Sequence, residues 1–326
     1  MFIITLPNND TIEYDKPITP MQIATKISKN LASEAFVSIV NGELWDLERI
    51  IKKDSKVSIL TKKNKEVLDV IRHDAAHIMA EAVLELYPET QVTIGPSIEN
   101  GFYYDFYREK SFSMIDLELI EKRMHEIVDK DEKIKREVWS RDEALSFFKK
   151  NNEQFKVELV NAIPDDELLS FYRQGNFVDL CRGPHSPSTK KVGHAFKLTK
   201  LAGSYWRGDS NKQVLQRIYG TAFLNEKDLN NYLLMIEEAE KRDHRKLGKQ
   251  LDLFHLQEEA IGSVFWHKKG WTIYLAVEAY MRRKLQHSNY EEVKTPQIID
   301  RALWEKSGHW DKFKEHMFMA KGDDEK

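Results

Sequence analysis

Hydrophobic and polar positions alternate at the start of the chain in short, strand-like steps. Phe2-Ile3-Ile4-Thr5-Leu6 reads as a strand, Asn8-Asn9-Asp10 as a turn, and Thr11-Ile12-Glu13-Tyr14 as the returning arm of a hairpin. Pro20 after Thr19 marks a helix start, and Ile23, Ile27 and Leu31 continue it at helical spacing. Phe36-Val37-Ser38-Ile39-Val40 and Lys56-Val57-Ser58-Ile59-Leu60 are further strands, the first followed by an Asn41-Gly42 turn. Strand-strand-helix-strand-strand predicts a ubiquitin-like β-grasp module over residues 1–62.

The period then changes. Between Glu66 and Leu86, Ile71, Ala75, Ile78, Met79, Ala82 and Leu86 make one helical stripe, while Val70, Ala80 and Leu84 lie on the other side. A helix apolar on two faces is buried between layers. Residues 112–130 predict another helix and Gln213–Phe223 a strand, so residues 63–224 form a second, mixed unit. Asn225, with Asp228 three residues on, caps a following helix that ends in the charged run Lys241-Arg242-Asp243-His244-Arg245-Lys246. Residues 225–242 read as a solvated spacer helix. From Leu251 the chain turns apolar again, with a helix near Trp271–Gln286 and a strand near Glu292–Thr295. The fold class is α+β, multi-domain.

Composition narrows the function. The 326 residues include a single cysteine, Cys181, so an internal disulfide scaffold is excluded. Fifty Lys+Arg against 53 Asp+Glu leave a formal charge of −3, so any nucleic-acid contact must come from local basic patches. The first residues lack a basic n-region, and Trp271–Met281 is too short to span a bilayer and contains Glu278. The expectation is a cytoplasmic protein without membrane association.

The strongest chemical signal is His73-Asp74-Ala75-Ala76-His77, two histidines at i and i+4 on one helix face. Such a pair can grip one metal ion or one water, and it equally suits two packed core histidines. Asp179-Leu180-Cys181-Arg182-Gly183-Pro184-His185 adds a second i,i+4 pair on a loop that Gly183-Pro184 turns sharply. Together His73, His77, Cys181 and His185 can converge into a four-ligand metal site or position a hydrolytic water with histidine as general base. A buried cysteine that packs as a small hydrophobe is the plain alternative.

These segments resemble a known family. His73-x3-His77, Thr93-Ile94-Gly95-Pro96, Asn100-Gly101-Phe102-Tyr103-Tyr104-Asp105 and Cys181-Arg182-Gly183-Pro184-His185 are similar to the editing domain of bacterial threonyl-tRNA synthetases. Leu201–Asp209 and Gln216–Ala222 match further family segments, and Thr295-Pro296 with Leu303–Trp310 resembles class II motif 1. The resemblance implies a TGS domain at 1–62, an editing domain at 63–224, a linker helix at 225–242 and the start of an antiparallel class II catalytic core at 243–326. It implies that His73, His77, Tyr104, Lys156, Asp179, Cys181 and His185 hydrolyse mischarged seryl-tRNA(Thr). His73 would activate or orient the water, Lys156 would stabilise developing negative charge, and Asp179 and Tyr104 would hold the serine amino group and the terminal ribose. The full-length family uses zinc and ATP with Mg2+, pairs as a homodimer through motif 1, and charges tRNA(Thr) with threonine.

The sequence departs from that family after motif 1. The aminoacylation zinc needs another cysteine, the only one here is Cys181, and no arginine follows Arg301 to serve motifs 2 and 3. The expectation is a chain ending inside the catalytic domain, capable at most of editing. Its apolar positions Val264, Phe265, Trp266, Trp271 and Ile273 would be exposed. Two other readings compete: a free-standing seryl-tRNA deacylase, and a non-enzymatic RNA-binding or regulatory protein. The latter would use Arg49, Lys52, Lys53, Lys56, Lys62, Lys63 and the Lys241–Lys249 cluster.

Overall fold

The computed structural model describes residues 1–320 in two units, Met1–Glu238 and a second beginning at Ala239. The first opens with β1 (Phe2–Thr5), β2 (Thr11–Tyr14), α1 (Pro20–Ile27), α2 (Lys29–Glu34), β3 (Val37–Val40), β4 (Glu43–Trp45) and β5 (Ser55–Leu60). The strands order as β2-β1-β5-β3-β4, with β1 and β5 parallel at the centre. Ile4, Ile23, Val40, Ile51 and Val57 fill the space between this sheet and α1. Thr19 starts α1 in a reciprocal cap: its hydroxyl accepts from the Gln22 N–H while the Gln22 side chain accepts from the Thr19 N–H.

The single helix expected through Ile23, Ile27 and Leu31 is in fact two. Ser28 is fully extended, with φ −164°, and its hydroxyl accepts from the Leu31 N–H, so it stops one helix and caps the next. The short β4, absent from the expected element order, completes a hairpin with β3 around Asn41-Gly42.

The rest of this unit runs α3 (Glu66–Leu86), β6 (Gln91–Val92), β7 (Ser97–Ile98), β8 (Gly101–Tyr107), α4 (Met114–Asp129), β9 (Ile134–Trp139), α5 (Arg141–Lys150) and α6 (Gln154–Ala162). It continues with β10 (Leu169–Gln174), β11 (Phe177–Leu180), β12 (Phe196–Tyr205), β13 (Val214–Ala222) and α7 (Glu226–Lys241), which passes the unit boundary. One sheet is β12-β13-β8-β6, with β7 on the side of β8; another is β11-β10-β9.

Helix α3 lies at the centre of the main core, against Phe102, Tyr104, Phe106, Ile120 and Met124. It has no glycine or proline within it and stops two residues short of Pro88. Every residue from Val70 to Val83 is buried except His73. That burial on all sides follows from the two apolar faces in the sequence, and it forces each polar group on the helix to find a partner inside the protein.

The second unit contains α8 (His244–Gln250), the β14–β15 pair (Phe254–His255 with Phe265–Trp266), α9 (Lys268–His287), α10 (Arg301–Lys306) and α11 (His309–Phe313). The strand expected near Glu292–Thr295 does not form: that segment has no ladder partner among the described residues, and an extended run becomes a strand only by pairing. Trp271 is 46% exposed and Ile273 51%, and Val264, Phe265 and Trp266 are also exposed. Residues 321–326 of the span assigned to the class II core lie outside the described residues. No helix among the described residues is long and apolar enough to cross a membrane.

Candidate active site

Helix α3 presents His73 and His77 on one face, with ring centroids 4.8 Å apart. The loop after β11 brings Cys181 and His185 to that face. The His185 ring lies tilted 4.5 Å from that of His73 and edge-on 4.3 Å from that of His77, and Phe177 closes the far side of His77 at 5.9 Å. The metal-capable atoms of His73, His77, Cys181 and His185 all lie within 4.8 Å of one another. His73 Nε2 is 2.9 Å from Cys181 Sγ, and His185 Nε2 is 3.4 Å from the same sulfur.

Burial and charge set the protonation states. Burial works against a charged sulfur, but the imidazoles of His73 and His185 hold the Cys181 thiol well below the usual thiol range. Burial likewise opposes charge on His185, yet the adjoining sulfur and a 2.7 Å hydrogen bond from Nδ1 to Asp74 Oδ1 push it up to about 10. Burial, with His185 beside it, pushes His77 down from its ordinary value. These surroundings therefore favour a thiolate on Cys181 beside an imidazolium on His185, and a neutral His77.

A second knot adjoins the first. Lys156, from α6, forms a buried ion pair with Asp179 Oδ1 on β11. Tyr104, on β8, donates its hydroxyl to Asp179 Oδ2 at 2.6 Å, and Lys156 Nζ donates to the Tyr104 oxygen at 3.2 Å. Burial and Asp179 hold the Tyr104 hydroxyl protonated, well above its ordinary range. His77 Nε2, 3.8 Å from Asp179 Oδ2, links the two knots. Gly95 is required here, because a Cβ on it would lie 2.0 Å from the Tyr104 ring.

All seven residues singled out in the sequence thus stand in one continuous cluster. His77, Tyr104, His185, Lys156 and Asp179 are buried, whereas His73 and Cys181 are half-buried. Four further residues belong to the cluster and went unassigned. Asp74 holds His185 and accepts from the Ser186 N–H at 3.2 Å. Its position inside a doubly apolar helix was the available signal, since a buried acid must have a partner. Tyr172 packs its ring 4.3 Å from that of His185. Glu153, whose Oε2 is buried without a partner among the described residues, is raised by burial to about 7, with Lys156 opposing and Asp179 adding to the shift. Asp46 reaches the site from the first sixty residues. Nothing local in the sequence marks these last three.

Three imidazoles and one thiolate match a zinc donor set in type and number, and Asp74 on the far nitrogen of His185 is the outer contact that such ligands carry.

Comparison with known proteins adds two domain matches. Residues 1–61 match the TGS domain, and residues 169–219 match the family described as the threonyl and alanyl tRNA synthetase second additional domain. The threonine–tRNA ligase of Paramagnetospirillum magneticum is 59% identical over 327 residues, covering 100% of this chain and 51% of the relative. Those of Rickettsia bellii and Rickettsia akari are 57% and 56% identical over 324 residues, each covering 99% of this chain and 51% of the relative. The chain spans about half the length of the curated relatives it matches.

Proposed function

From a chain that carries a TGS domain and a tRNA-synthetase editing domain, and that is related along its whole length to the threonine–tRNA ligases, we propose a hydrolase site that removes serine from mischarged tRNA(Thr). The observation that supports this reading is the joining of the His/Cys knot to the Lys156–Asp179–Tyr104 knot within one buried cluster. For a protein of the relatives' full length we further propose the ligase reaction, with ATP, Mg2+ and zinc, in a cytoplasmic homodimer.

The energetic need is discrimination. Serine lacks one methyl of threonine, and a synthetic pocket rejects the smaller residue by only about 10–200-fold. A second site that admits serine and excludes the larger threonine makes up the difference.

In the proposed mechanism the sulfur of Cys181 accepts from Nε2–H of both His73 and His185. That assigns the His73 proton to Nε2 and leaves its Nδ1 lone pair as the base. A water oxygen attacks the seryl ester carbonyl as its proton passes to His73 Nδ1. The carbon–oxygen bond to the ribose then breaks, and the ribose oxygen takes the proton back, leaving free serine and tRNA. Lys156 has three N–H donors, of which Asp179 and Tyr104 take two; the third is left to stabilise the developing oxyanion. The Asp179 carboxylate supplies negative potential for the serine ammonium, and Tyr104 keeps it oriented. Were His73, His77, Cys181 and His185 to hold a zinc ion, the His73 lone pair would serve the metal, and Lewis-acid polarisation of the ester would stand in place of the His73 base.

Seryl-tRNA(Thr) and threonyl-tRNA(Thr) hydrolysis by the chain and by His73→Ala tests this. The seryl ester should be cleaved preferentially, and the variant should lose about 10²–10⁴-fold. No cleavage by the unaltered chain, with tRNA binding retained, would favour the RNA-binding reading.

A further inference from the structure

Asp46 follows β4 in the N-terminal module and is 9% exposed. Both of its carboxylate oxygens are used outside that module. Oδ2 accepts from the Tyr172 hydroxyl at 2.8 Å, and Oδ1 accepts from the His185 backbone N–H at 2.9 Å. These partners stand 126 and 139 residues further along the chain.

The two contacts converge on one short loop. Tyr172 packs its ring against His185, and its hydroxyl fills the space beside Gly183, where a Cβ would lie 1.9 Å away. Gly183 has φ +67°, so the loop passes under the tyrosine in a conformation that glycine alone adopts cheaply. Asp74 holds the same segment from the opposite side, through the His185 imidazole and the Ser186 N–H. His185 is therefore held between two buried carboxylates, Asp46 of the N-terminal module on its backbone N–H and Asp74 of α3 on its ring and on the N–H of the next residue. Its Nε2, 3.4 Å from Cys181 Sγ, inherits its position from both.

A residue that served only to join two modules would bond to framework. Asp46 instead bonds to the main chain of a site residue and to the ring that backs it. We propose that Asp46 is a positioning residue of the hydrolytic site, so that the N-terminal module completes the geometry of the reaction carried out in its neighbour. This rests on the hydrolytic reading above, and its test includes a measurement that does not depend on it.

The test compares Asp46→Ala, Asp46→Asn and Val57→Ala in the full chain. Asparagine can keep both contacts: its oxygen accepts from His185 N–H, and its amide donates to the Tyr172 oxygen. Val57→Ala lowers the stability of the same module through its core, 2% exposed at that position, without touching the site. Hydrogen exchange across residues 182–189 reads the clamp directly and needs no tRNA. Exchange at His185 should quicken by about 10-fold or more in Asp46→Ala and stay near the original in the other two. For seryl-tRNA(Thr), Asp46→Ala should lower kcat by about 10–100-fold with KM within about twofold, and Asp46→Asn should recover most of it. Unchanged exchange in Asp46→Ala, or an equal loss of kcat in Val57→Ala, overturns the assignment. If the unaltered chain cleaves no seryl-tRNA, the hydrolytic reading fails, while the exchange comparison still decides the role of Asp46 in holding His185.

Discussion

His73 Nε2 and Cys181 Sγ lie 2.9 Å apart although 108 residues separate them in the chain. With His185 on the other side and the Gly183 N–H 3.2 Å from the same sulfur, these surroundings hold the thiol well below its usual range.

Cys181 is the only cysteine, so alkylation of the whole protein reports on this group alone. The pH profile of iodoacetamide modification should reach its plateau at a pH well below that of the urea-unfolded chain, which should titrate near pH 8.5. Dialysis against a strong chelator should leave the folded profile unchanged. A profile that rises only near pH 8.5 in the folded protein would remove the thiolate–imidazolium pair, and reactivity that appears only after chelation would assign a bound metal to the four donors.

Lys156 and Asp179 are 1% and 2% exposed and face one another. Lys156→Met leaves a buried carboxylate with only the Tyr104 hydroxyl and the nearby His77, and it should cost about 3–5 kcal/mol in urea unfolding. Adding Asp179→Asn removes the orphaned charge while still accepting from Tyr104, so most of that stability should return. Hydrolysis should stay at least about 100-fold down in both variants. A double variant no more stable than Lys156→Met would show that the pair is not coupled.

Glu81, one turn beyond His77 and 3% exposed, is raised by burial from 4.5 to about 8, with a 2.7 Å hydrogen bond from Gln174 working against the shift. Because the folded carboxyl holds its proton more tightly than the unfolded one, its contribution is full below about pH 4.5 and is lost as pH rises through 8. Urea unfolding between pH 5 and pH 9 should therefore show a fall of the order of a few kcal/mol that Glu81→Gln flattens. Parallel curves for the two proteins would exclude Glu81 as the source.

Much of this was legible in local pattern. The buried helix α3 followed from its two apolar faces, and the two i,i+4 pairs placed four ligating groups on two segments. Where local reading went astray, long-range pairing or a local cap decided the outcome: Ser28 split one expected helix, and Glu292–Thr295 found no partner strand among the described residues.

The sequence by itself determined which face of each element a side chain occupies, because helical and strand periods are local properties of the backbone. It also determined that Asp74, inside a helix buried on all sides, needs a partner. Only the tertiary structure decided who that partner is, that Lys156 meets Asp179, and that Asp46 grips His185 from another module. These are distances between elements, set by how whole layers pack, and no period within a single segment carries them.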